Sequence, residues 1–144
     1  MPARSARAQH ARRPRRPRDV PGLPARRAAL AGLLAVDAGR ALEDALDPGQ
    51  SDGFAALEPR DRALARSLAR TALRRSGQID AALARCLSKG LPKGDTGRRV
   101  GAILRLGAAQ LLFTDGADHA AVDLSVRLAL EDEKARHFRP LING

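Results

Sequence analysis

The chain has 144 residues, 26 of them Lys or Arg and 16 Asp or Glu, for a formal net charge of +10. Its single cysteine, Cys86, excludes an internal disulfide framework and a multi-cysteine metal site, and fits a reducing cytoplasm. No apolar run approaches the roughly 18 to 20 residues of a membrane span, and three Phe with no Trp or Tyr leave one modest core to be built from aliphatic side chains, which suits helices.

The charge is unevenly placed. Residues 1–27 hold nine arginines against one acid, Asp19, and so carry +8 of the +10, while the other 117 residues have seventeen basic and fifteen acidic side chains. A cationic tail on a nearly balanced domain points to an anionic partner, nucleic acid first. Residues 1–22 include four prolines and almost nothing large and apolar, so this tail is expected to be disordered when free. The domain proper is placed at 23–144. Ala28 to Val36 is uncharged and follows Arg26-Arg27, as an export signal would. The charged Asp37 and Arg40 come directly after it, however, and its apolar positions recur with helical period, so it reads as a packed helix. The acid-poor start also resembles an organelle transit peptide, a reading that leaves the rest of the chain unexplained.

Pro24 suits the first turn of a helix predicted to run to about Leu46, with Leu30, Leu33, Leu34, Ala41, Leu42 and Ala45 as its buried stripe. Asp47-Pro48-Gly49 stops it, a loop follows through Gly53, and Phe54 and Leu57 are expected to cover the next helix. That helix, about Pro59 to Arg75, carries Arg62, Arg66, Arg70 and Arg74 four apart on one face, with Leu64 and Leu68 opposite. Like charges at this spacing destabilise a helix by about 0.2 to 0.5 kcal/mol each, so the stripe calls for acids or phosphates against it. Gly77 marks a break, and a short helix from Gln78 to about Ser88 aligns Ile79, Leu83 and Leu87. After a loop over 89–94, Asp95 or Thr96 caps a long helix with Val100, Ile103, Leu104, Gly107, Leu111 and Leu112 inward. A turn at Thr114-Asp115-Gly116 precedes a helix capped by Asp118, with Val122, Val126, Ala129 and Leu130 inward, ending near Glu133. No alternating strand pattern occurs, so the predicted fold class is all-α.

Arginine-rich tails bind RNA because neutralising phosphates releases counterions and because guanidinium planes donate paired hydrogen bonds and stack on unpaired bases. A solvated tail without a partner is the competing reading, and a plain solvent face competes for the Arg62-to-Arg74 stripe. Cys86 reads as a small helix residue rather than a nucleophile, since no histidine or acid is spaced to form a dyad with it. His119 reads as part of a helix start rather than a base, and Glu131, Asp132 and Glu133 as a solvated helix end. Without strands there is no glycine-rich strand-to-helix loop, which excludes S-adenosylmethionine or nucleotide binding by that route.

Asp61-Arg62-Ala63-Leu64-Ala65-Arg66, Gly77-Gln78-Ile79-Asp80, the run Ile103-Leu104-Arg105-Leu106-Gly107-Ala108-Ala109-Gln110-Leu111-Leu112-Phe113, His119-Ala120-Ala121-Val122-Asp123 and Leu141-Ile142-Asn143-Gly144 occur in an order that resembles a NusB-like domain from about residue 23 onward. The Leu104-to-Phe113 and His119-to-Val122 strings are most similar to the N-terminal domain of RsmB-type ribosomal RNA cytosine-5 methyltransferases. The resemblance implies two packed three-helix units and an RNA-binding role, with the arginine-rich N-terminus as the contact. Carried onto this chain, the contact falls on Arg12, Arg13, Arg15, Arg16 and Arg18. Arg26 and Arg27 are added on electrostatic grounds, and Arg66 and Arg70 from the stripe. The chain departs from the family pattern at Arg70 and Arg75, where aromatics are frequent, at Ala117 in place of a proline and at Asp123 in place of an asparagine.

The sequence stops in what should be the last helix, so that helix is expected to be truncated and the chain to be a fragment or an incomplete product, without catalytic residues or a cofactor of its own. A longer parent enzyme of the RsmB type would use S-adenosylmethionine. The expected partners are RNA, ribosomal by resemblance, and a methyltransferase domain or a ribosomal protein, with no membrane. A stand-alone antitermination factor of the NusB type is the alternative.

Overall fold

The computed structural model describes residues 20–144; the expected tail contacts Arg12, Arg13, Arg15, Arg16 and Arg18, and the expected disorder of that segment, lie outside them apart from its last few residues. The described residues form α1 (Leu23–Asp37), α2 (Leu42–Ala45), α3 (Asp52–Ala55), α4 (Pro59–Arg74), α5 (Ser76–Cys86), α6 (Gly94–Phe113), α7 (Asp118–Glu131), a 3-10 turn (Arg136–Phe138) and α8 (Arg139–Asn143). They contain no strand, as the missing alternation predicts. One group of three is α1, α4 and α5, the other α6, α7 and α8, and α6 joins them by packing against α1, α4, α5, α7 and α8.

The core is aliphatic and rich in small side chains. Ala25, Ala29 and Leu33 of α1, Ala65, Leu68, Ala69 and Ala72 of α4, and Val100, Ile103, Leu106 and Ala109 of α6 are all buried in one cluster. Alanines let helix axes approach closely, and the few large residues Leu68, Ile79, Val100 and Ile103 are fully buried between them. Each such burial stabilises the fold by about 1.5 to 3 kcal/mol.

The first helix is shorter than its periodicity predicts. It stops at Asp37 because Gly39 adopts φ +92°, a conformation strained for any other residue. The break is closed by Gly39 N–H donating to Val36 O and Arg40 N–H to Ala35 O, both at 2.9 Å. The chain then resumes as α2, so the expected stripe survives in part: Leu33 and Ala45 are buried, Leu30, Leu34 and Leu42 half-buried and Ala41 exposed. Within the expected loop lies α3, whose start Ser51 caps by accepting from Phe54 N–H at 3.3 Å. Phe54 is buried and packed in the core, with Leu57 partly buried against it, as expected.

The break between α4 and α5 falls at Arg75, which ends one helix and starts the next, and Gly77 sits inside α5. Neither Asp95 nor Thr96 caps α6; the helix begins at Gly94 with no side-chain cap. Asp95 is used otherwise. Its carboxylate accepts from Lys134 Nζ at 2.6 Å, Arg99 Nε at 3.0 Å and Arg98, while Arg99 Nη1 reaches Asp132 at 2.9 Å. These bonds, led by the one from Lys134, hold the Asp95 carboxyl far below the usual carboxylate range. For Asp132, burial pushes upward, but Arg99 and the amides of Lys134 and Ala135 outweigh it and the net shift is down. The cluster ties the start of α6 to the segment after α7. Gly97, one turn into α6, lies so close to the preceding loop that a Cβ there would run into the carbonyl oxygen of Pro92.

Two expected inward faces are corrected. Leu111 and Leu112 of α6 are 40% and 55% exposed, with Ala102, Leu106 and Ala109 buried in their stead. Successive apolar residues fan out at 100° each, so Leu111, Leu112 and Phe113 cannot share one buried face. On α7 Leu130 is exposed, whereas Leu124, Ser125 and Leu128 join Val126 and Ala129 inside. This helix packs against α1, α6 and α8 together, so its buried arc is wider than one stripe. Neither Asp118 nor any other side chain caps it. The final helix, expected as truncated, forms five residues and seats Ile142 in the core.

Replacing Asp95 by Asn tests the cluster. Because the folded-state pKa is depressed, the carboxylate's contribution is complete above the ordinary Asp value near 4 and fades as pH falls through the lower folded value. D95N is expected to lower Tm at pH 7 and the deficit to shrink in acid below about pH 4; a pH-independent deficit would assign the effect to packing.

Candidate nucleic-acid interface

The four described arginines expected to meet RNA, Arg26, Arg27, Arg66 and Arg70, fall into two geometric groups, and the unpaired cations of the bundle form a third. The first is Arg26, which is not a surface contact. Its side chain is 8% exposed, Nε donates to Gln110 Oε1 at 2.9 Å, and Nη1 donates to Gly22 O at 2.9 Å. Burial lowers its guanidinium pKa from the usual value, yet arginine remains charged under any ordinary condition. Expected from its position as a phosphate contact, Arg26 instead anchors the root of the N-terminal segment to the last turns of α6.

The second group faces its own chain. Arg27 makes a paired contact to Glu131, Nε to Oε2 at 2.7 Å and Nη2 to Oε1 at 2.6 Å. Arg66 donates from Nη2 to Leu46 O at 3.0 Å and lies 4.9 Å from the Phe54 ring centroid. Arg70 grips Glu43 of α2 at 2.8 to 3.2 Å. The hydrogen bond from Arg70 pulls the Glu43 carboxyl below its ordinary pKa, and the same bond raises Arg70. The stripe on α4 therefore does half of what its like charges require: Arg66 and Arg70 clasp the α2–α3 segment. Exposed pairs of this kind are weak and exchange readily, so phosphate can compete for Arg70 more easily than for Arg66.

The third group makes no side-chain hydrogen bond or ion pair among the described residues and comprises Arg60, Arg62, Arg74, Arg85, Lys89, Lys93, Arg136 and Arg139. Arg74 adjoins Arg75, whose guanidinium carbon lies 5.1 Å from the centroid of the Phe113 ring. Sequence reasoning did not foresee this contact, because it joins the ends of α4 and α6 across the fold; the one signal was three consecutive large apolar residues at a helix end.

The clefts are poorly suited to an anion. A cavity of about 270 Å³ between α1, α4, α5 and α6 presents Asp37 and Asp80, and its only cation, Arg105, is already paired with Asp80 at 2.7 Å. Cys86 and His119 are exposed and isolated from one another at the ends of α5 and α7.

With an all-α bundle and an arginine-anchored N-terminal root in place, the family comparison is decisive: the model of the NusB family matches residues 23–144. The chain belongs to the NusB family. No curated protein and no solved structure gives a significant match. Membership supports an RNA-binding, NusB-like function. No helix among the described residues is long and apolar enough to cross a membrane.

The geometry separates Arg26 from the surface arginines. Arg26→Ala strands Gln110 Oε1 and leaves the Gly22 carbonyl only its bond from the backbone N–H of residue 26 at 3.2 Å, and is expected to destabilise the fold by about 1 to 3 kcal/mol in urea unfolding; a change within error would place the side chain in solvent.

Proposed function

We propose that the protein is an RNA-binding module of the NusB type whose phosphate contacts come mainly from the N-terminal arginines, Arg12, Arg13, Arg15, Arg16 and Arg18. Arg27, Arg66 and Arg70 act as secondary contacts where phosphate displaces their intramolecular partners. The observation that carries this reading is the division of charge. Seven arginines and one acid precede residue 20, whereas residues 20–144 hold nineteen basic side chains against fifteen acidic ones, seven of the basic ones paired directly with carboxylates.

The proposed RNA is small-subunit ribosomal RNA, held for a cytosine-5 methyltransferase of the RsmB type. Two strings support this, Leu104 to Phe113, which builds the last half of α6, and His119 to Val122, which opens α7. No described residue supplies a strand or a glycine-rich phosphate loop, so the methyl transfer and its S-adenosylmethionine would belong to a partner domain. A stand-alone antitermination factor shares the family and the arm and differs in its RNA.

Five arginines each neutralising one phosphate of a single strand give a slope of log affinity against log salt near −3.5, at roughly −0.7 per contact. Deleting residues 1–22 is expected to flatten that slope in gel-shift titrations with a small-subunit ribosomal RNA fragment. An unchanged slope removes the arm from the interface, and equal affinity for an unrelated RNA of the same length removes the ribosomal assignment while leaving RNA binding in place.

A further inference from the structure

The chain has three aromatic residues, and they are treated differently by the fold. Phe54 is buried, Phe138 is half-buried, and Phe113 is left 37% exposed at the last residue of α6. One side of the Phe113 ring is occupied by the Arg75 guanidinium. Arg75 is exposed, and its nearest polar contact is a long one, Nη1 to Gln78 Oε1 at 3.4 Å. Arg74 beside it is exposed and without an ion-pair partner among the described residues. The result is a flat cation lying over a flat ring at the surface, next in sequence to the exposed Leu111 and Leu112.

The position of this platform matters as much as its chemistry. Gln110 and Phe113 are three residues apart on α6 and hence neighbours on its surface. Gln110 holds Arg26, and through it the root of the cationic arm. Arg26 thus ties Gly22, where that segment joins the bundle, to a residue one helical turn from Phe113. The charges around the platform also set its polarity. Asp115 in the turn after α6 and Asp118 at the start of α7 are exposed, so phosphate is repelled there and attracted on the α4 side, where Arg74 and Arg75 lie.

We propose that Phe113 and Arg75 form a stacking site for one unpaired RNA base, which makes the domain discriminate single-stranded from fully paired RNA. The proposal rests on the RNA-binding reading and adds to it a recognition element that phosphate contacts cannot supply. Bases stack on aromatic rings and guanidinium planes without regard to sequence, at about 1 to 3 kcal/mol per base. In a duplex the base faces are already stacked on one another and unavailable.

The test uses the full chain and a single-stranded RNA carrying one 2-aminopurine, with a duplex of the same length as comparison. Wild-type protein is expected to change the 2-aminopurine emission on binding. Phe113→Leu is expected to abolish that change and weaken single-strand affinity by about 5- to 150-fold, leaving duplex affinity and the salt slope as they were. Phe113→Trp is expected to restore single-strand binding, and Arg75→Gln to weaken it without touching the core. Equal binding of the single strand by wild type and Phe113→Leu overturns the proposal, as does equal loss on both RNAs. If the arm deletion flattens the salt slope while Phe113→Leu has no effect, the stacking site alone falls; if wild type binds neither RNA, the RNA-binding reading falls with it.

Discussion

Close packing of aliphatic and alanine side chains around α6 is the constraint from which the rest of the architecture follows. Both three-helix groups bury their apolar faces on this helix, and Val100, Ile103, Leu106 and Ala109 have almost no contact with water. A core with so few large residues tolerates little looseness, because a void of even one methyl group loses contacts that nothing nearby can replace. The ends of α6 are accordingly held by polar devices: the Asp95 cluster at its start, and Arg26 with Gln110 near its finish.

The charged residues sort by that geometry. Those within reach of an acid on a neighbouring helix became ties, as with Arg27 and Glu131, Arg105 and Asp80, and Arg70 and Glu43. Others, such as Arg60, Arg74 and Arg85, remain exposed without an ion pair among the described residues. The cations left without an ion pair among the described residues thus sit at a few edge positions, and the bundle fixes where the N-terminal segment begins.

Much of the fold was legible in the sequence because it depends on periodicity. The spacing of apolar residues set α4 to within one residue and identified α6 as the central element, and the absence of alternation set the class. What was not legible depends on contacts between elements distant in the chain. Gly39 looked like one glycine within a longer helix, and only its positive φ shows that α1 ends there. Arg26 looked like its neighbour Arg27, yet one faces Gln110 in the interior and the other Glu131 at the surface. Leu111, Leu112 and Leu130 fit a buried stripe by spacing, but the coverage a helix receives is decided by its neighbours, and here it runs out before the last turn. The arginine stripe of α4 raised the right question about compensating charge; Glu43 supplies part of the answer from 27 residues away.

Arg26 has a mechanical consequence. Its guanidinium grips Gly22 O, the residue immediately before α1, and Gln110 on another helix at once. A pull on Gly22 is therefore shared sideways with α6 instead of falling on the first turn of α1 alone.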